Sequence, residues 1–78
     1  MKKVLIYTGD LCIHCEWAID LLNRKNINFT EYNIAKDLEK RNEMLKKSNG
    51  ARTVPQIFID DKYIGSYDNL VEYFKDAS

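Results

Sequence analysis

Seventy-eight residues can form one domain with a modest core, and at this size burial leaves little surplus over conformational entropy. Twelve basic and twelve acidic side chains cancel without gathering into blocks of either sign, so bulk attraction to nucleic acid or a membrane surface is excluded as the basis of function. The apolar run behind Met1-Lys2-Lys3 stops at Tyr7, too short for a signal-peptide core or a spanning helix, and the chain is expected to be a soluble, cytoplasmic, single-domain protein over residues 1–78.

Lys3 to Thr8 is near-continuously apolar and β-prone, the pattern of a central strand covered on both faces. The period then changes. Cys15, Ala18, Ile19 and Leu22 fall at i, i+3, i+4 and i+7, one stripe of a helix that ends in Asn23-Arg24-Lys25-Asn26 with cations in its last turn. Ile27 to Ile34 reads as a second strand, which makes a βαβ unit with parallel strands and a right-handed crossover. Asp37 is the N-cap of a second, polar helix whose apolar positions are Leu38, Met44 and Leu45, and Gly50 suits its left-handed C′ position. Gln56-Ile57-Phe58-Ile59 and Lys62-Tyr63-Ile64, joined through Asp60-Asp61, predict an antiparallel hairpin. Leu70, Tyr73, Phe74 and Ala77 repeat at helical spacing behind Ser66 or Asp68 as cap.

The chain's two cysteines stand in Cys12-Ile13-His14-Cys15, where the first strand hands over to the first helix. A helix N-terminus presents unpaired N–H groups and partial positive charge, both of which favour a thiolate. The dipole contributes roughly 0.3–1 kcal/mol, up to about 2 kcal/mol when partly buried. A reversible dithiol needs an exposed thiolate and a second thiol close enough to resolve the mixed disulfide. Cys12, outside the apolar stripe, is the candidate nucleophile and Cys15, at its buried edge, the candidate resolver. His14, if protonated, favours the Cys12 thiolate and Asp10 opposes it; an exposed turn residue without electronic role is the other reading of His14. Zinc wants four ligands, and two cysteines with one histidine between them complete a site only across a dimer, so no metal is expected.

Arg52-Thr53-Val54-Pro55 holds the only proline, just before the hairpin, and Gly65-Ser66-Tyr67-Asp68-Asn69 leads into the last helix. With the strand that enters Cys12-x-x-Cys15, these segments resemble the glutaredoxin family, in this order and across essentially the whole chain. The resemblance implies an α/β, thioredoxin-like fold of order β-α-β-α-β-β-α, with a four-stranded mixed sheet flanked by three helices. It also implies a cis peptide bond at Val54-Pro55, opposite the thiols. The implied activity is glutathione-dependent thiol–disulfide exchange on disulfide-bonded or glutathionylated proteins, with glutathione as co-substrate and no other cofactor, by a monomer. Carried over by residue, Cys12 attacks and Cys15 resolves; His14 replaces the aromatic residue that contacts glutathione. Thr53, Val54 and Pro55 line the cysteinyl groove, and Tyr67 and Asp68 meet the γ-glutamyl end. Arg52 faces the glycyl carboxylate or is an ordinary solvated charge, with Asn42 as a second candidate.

The chain departs from the family pattern at Ile13-His14, commonly Pro-Tyr, and at Gly9, where many members have lysine; weaker glutathione binding is the expectation. Two alternatives stay open at this point. One is a thioredoxin-like hydrogen donor, reduced by a flavin reductase and serving a client such as ribonucleotide reductase. The other is a dimeric module holding zinc or an iron–sulfur cluster through Cys12 of each subunit.

Overall fold

In a computed structural model, which describes residues 2–76, the chain runs β1 (Val4–Thr8), α1 (Ile13–Arg24), β2 (Thr30–Asn33), α2 (Leu38–Lys47), β3 (Gln56–Ile59), β4 (Lys62–Gly65) and α3 (Tyr67–Asp76). The strands form one sheet of order β2-β1-β3-β4. β1 pairs parallel with β2 and antiparallel with β3, which pairs antiparallel with β4. This is the mixed-sheet thioredoxin-like architecture that the resemblance implies. Ala77, the last position of the predicted stripe, lies outside the described residues.

The continuous apolarity of β1 has the predicted cause, and β3, expected only as a hairpin strand, is likewise buried on both faces. Val4, Ile6, Ile57 and Ile59 pack with Ala18 and Leu22 of α1 and Leu70 of α3, while Tyr7, Phe58 and Met44 of α2 form a second cluster. On that second side, the buried Tyr7 hydroxyl donates to Glu43, and Lys40 donates to Glu43 at 3.2 Å. Burial and this bond to a carboxylate push the Tyr7 hydroxyl above its ordinary range. The Tyr7 hydroxyl, with help from Lys40, holds the Glu43 carboxyl below the usual carboxylate range.

The second strand is shorter than the sequence predicts. Ile27 is taken into the end of α1, where its N–H donates to the Leu22 carbonyl at 3.0 Å while that of Asn26, at φ 58°, donates to Asn23 at 3.0 Å. This is a Schellman closure with asparagine at C′. α2 closes likewise, with Asn49 at φ 60° at C′ and the Gly50 N–H reaching Leu45 at 2.7 Å, so the C′ position expected at Gly50 belongs to Asn49. Asp37 caps α2 as expected, accepting from the Lys40 N–H at 3.2 Å. Leu38 is not a core residue: it is 67% exposed, because at 3.6 residues per turn it lies about a third of a turn from the buried Met44.

Asp60 and Asp61, at φ 50° and 68°, make the two-residue hairpin turn between β3 and β4. The register slips at Ile57/Phe58, so that Gly65 at φ 119° faces Ile57 and the chain swings into α3. Ser66 directly precedes α3, and its carbonyl accepts from Leu70 at 3.0 Å; Asn69 Oδ1 accepts from the Ser66 N–H at 3.1 Å. Asp68, the other cap candidate, sits inside the first turn.

Candidate functional site

Cys12 is the N-cap of α1, with extended φ −114° and ψ 102°, and its Sγ accepts from the Cys15 N–H at 3.1 Å. A sulfur therefore occupies the place where serine or aspartate usually satisfies a free amide of the opening turn. The two cysteines are joined as a disulfide, with Cα atoms 5.2 Å apart. Cys15 is 3% exposed and Cys12 half-buried, so the reachable sulfur is that of Cys12.

The loop before β3 meets this sulfur from the other side. The Val54 carbonyl oxygen lies 3.7 Å from Cys12 Sγ, and the Val54–Pro55 peptide is cis. Buried Gln56 braces the loop: its Nε2 donates to the Thr53 carbonyl at 2.8 Å, and its Oε1 accepts from the Tyr63 hydroxyl at 2.5 Å. β3 and β4 thus hold Thr53-Val54-Pro55 against the head of α1.

His14, Val54, Pro55, Ser66, Tyr67 and Asp68 line one depression of about 160 Å³. Predicted site residues from α1, the proline loop and the start of α3 therefore converge. Val54 is also a wall of a second depression, shared with Gly9, Lys36, Asp37, Leu38, Arg41 and Arg52. Arg52 lies there, exposed; Asn42 does not, lining a different hollow with Glu39, Glu43, Leu45 and Lys46. On α2 it is Arg41 that turns toward Val54, and Lys36 joins it from the loop before the helix. Sequence reasoning missed both cations, because only the fold brings residues 36–41 beside 52–54.

Trp17 was also missed. Its ring stands 5.0 Å from that of His14, edge to face, and 5.7 Å from that of Tyr67. The signal was present in the i, i+3 spacing from His14. Gly9 runs so close to the proline loop that a Cβ there meets Val54 Cγ2 at 3.2 Å. Among the described residues, no group of three or more His, Cys, Asp and Glu side chains is placed to hold a metal ion, and no helix is long and apolar enough to cross a membrane.

The family model described as Glutaredoxin matches residues 4–64. Glutaredoxin 3 of Escherichia coli K12 is 47% identical over 70 residues, spanning 90% of this chain and 83% of that protein. Glutaredoxin 1 of Francisella tularensis, solved in complex with cacodylate, superposes with a TM-score of 0.82 at 32% identity, over 99% of this chain and 96% of that one. A buckwheat glutaredoxin–glutathione complex superposes with a TM-score of 0.84 over 97% of this chain and 71% of that one; at 20% identity, that likeness bears on the fold alone.

Proposed function

The chain belongs to the glutaredoxin family and carries the cysteine pair of a thiol–disulfide oxidoreductase, and from that premise we propose that glutathione is its reductant. The observation that carries this reading is the place of Val54. It stands beside the Cys12 sulfur and is common to a depression rimmed by Lys36, Arg41 and Arg52 and to one that ends at Tyr67 and Asp68. A tripeptide with a thiol in its middle, a carboxylate at one end and a γ-linked amino acid at the other matches that sequence of surfaces.

In this reading the glutathione cysteinyl group lies along Thr53, Val54 and Pro55, its glycyl carboxylate faces Arg52 with Arg41 and Lys36, and its γ-glutamyl end meets Tyr67 and Asp68. His14 supplies the flanking ring. The Cys12 thiolate attacks one sulfur of a client disulfide, forming a Cys12–client bond and releasing a client thiolate that takes up a proton. The Cys15 thiolate then attacks the Cys12 sulfur, forming the Cys12–Cys15 bond and releasing the second client thiol. Two electrons have passed from protein to client. Glutathione returns them: one thiolate opens the protein disulfide, a second displaces it as glutathione disulfide. With a glutathione mixed disulfide as substrate, Cys12 attacks the glutathione sulfur and the second glutathione releases it without Cys15.

The test is turnover of a small glutathione mixed disulfide with glutathione and glutathione reductase. Turnover well above a Cys12→Ser control is expected. Inertness to glutathione, with rapid reduction by a thioredoxin reductase instead, overturns the proposal and leaves the thiol–disulfide chemistry intact.

A further inference from the structure

The segment around the reachable Cys12 sulfur has a distinct chemistry. Between Lys3 and Arg24 the chain has no lysine or arginine and carries Asp10, Glu16 and Asp20. Asp20 is paired with Arg24, while Asp10 and Glu16 are exposed and in no ion pair among the described residues; Asp10 accepts only from the Asn33 amide, at 3.0 Å. Interleaved with these carboxylates are exposed apolar groups. Leu11 is fully exposed, Ile13 is 58% exposed and Trp17 is 50% exposed. Ile13 and Trp17 lie at i, i+4, on one face of α1.

Leu11 is unusual twice over. A leucine at φ 51° is strained, since the left-handed region favours glycine, asparagine and aspartate, and its whole side chain faces water. Neither feature stabilises the folded chain, and the residue sits next to the reachable sulfur. An exposed apolar patch rimmed by polar groups is a common mark of a contact surface. Aromatic groups supply much of the energy at such surfaces, whereas complementary charge governs partner choice and association rate.

We propose that Leu11, Ile13 and Trp17, with Asp10 and Glu16, form a docking collar that selects client polypeptides whose disulfide cysteine is flanked by a basic residue and an apolar one. The apolar side chain covers Leu11 and Ile13, on either side of Cys12, and the cation faces Glu16, three residues along α1 from Ile13. The cationic depression of Lys36, Arg41 and Arg52 lies beyond Val54 and is left to the co-substrate. The proposal rests on the thiol–disulfide chemistry above and does not require that glutathione be the reductant.

The experiment uses pre-reduced protein in single turnover, without glutathione, so that the identity of the reductant cannot affect it. The substrates are two disulfide-bonded peptides of equal apolarity, one with lysine and one with glutamate beside the cysteine. The wild type is expected to reduce the lysine peptide roughly tenfold faster, with the preference fading as salt rises. Glu16→Lys is expected to abolish or reverse that preference. Leu11→Asn, which suits the left-handed backbone, is expected to slow both peptides by several-fold while leaving a small aliphatic disulfide unaffected. Equal rates on the two peptides, or variants that slow the small disulfide as much as the peptides, overturn the proposal. So does a wild-type dimer abolished by Leu11→Asn, which assigns the collar to a second copy of the chain.

Discussion

Gly65 joins β4 to the helix that carries Tyr67 and Asp68, and replacing it with alanine should damage stability and site together. Its φ of 119° is a conformation that an L-residue holds at a cost of about 1–3 kcal/mol. An added Cβ also falls 2.5 Å from Asn69 Oδ1 and 2.8 Å from Asn69 Cγ, so the asparagine must swing away. That breaks its acceptance of the Ser66 N–H, a capping interaction worth about 0.5–2 kcal/mol. The sum is about 1.5–5 kcal/mol, and at about 4–8 °C per kcal/mol for a domain of this size the melting temperature should fall by at least about 6 °C. Gly50→Ala provides the comparison: φ is 94° there, yet nothing lies within 4 Å of the new Cβ, so only the backbone cost remains. Urea denaturation of both variants, each with and without Asn69→Ala, separates the two contributions. Gly65→Ala should be the more costly, and Asn69→Ala should reduce its cost and leave that of Gly50→Ala alone. Equal costs in both backgrounds would refute the contact argument.

The pair Tyr7–Glu43 gives stability a pH dependence at both ends. Glu43 has its folded value lowered, so its contribution is complete above the ordinary carboxylate range and is lost as pH falls through the folded value; Tyr7→Phe should diminish that acid loss in urea midpoints measured against pH. Tyr7 is raised, so its own contribution is complete below about 10, the ordinary tyrosine value, and fades as alkaline pH rises toward the folded one. On the proposed function, His14→Tyr should lower the KM for glutathione several-fold in the coupled assay; no change would mean that the γ-glutamyl end is misplaced. Gly9→Lys adds a cation to the depression with Arg41 and Arg52, but its Cβ presses on Val54, so its gain in glutathione use should be smaller than that of His14→Tyr.

The placement of the cysteines was readable in the sequence because two local signals coincide there. β1 is apolar on both faces, and the stripe Cys15, Ala18, Leu22 starts within the motif itself, so strand, junction and helix are all written within some twenty residues. Val54, Pro55, Tyr67 and Asp68 were legible only through resemblance; nothing local says that they face His14. Boundaries failed where backbone closure overrode composition. Ile27 looks like a strand residue and serves as the apolar end of the α1 closure, and Asn49 takes the left-handed position for which Gly50 seemed the natural choice. Which of Leu38, Met44 and Leu45 is buried was not legible, because a sparse helix offers too few apolar positions to define its buried face. Arg41, Lys36 and Trp17 went unremarked for a different reason: an exposed cation or ring gains meaning only from what the fold sets beside it.

Thiol–disulfide exchange at this site requires that Cys12 be the more easily ionised thiol, held by the opening amides of α1 while Cys15 is buried behind it. The most direct measurement is a pH titration of thiolate ultraviolet absorbance in the reduced protein, repeated on Cys12→Ser and Cys15→Ser. Cys15→Ser should retain a thiol that ionises well below the range of free cysteine, and Cys12→Ser a thiol that ionises at or above it. Two thiols that both titrate like free cysteine, or a Cys15 that ionises first, would contradict the account.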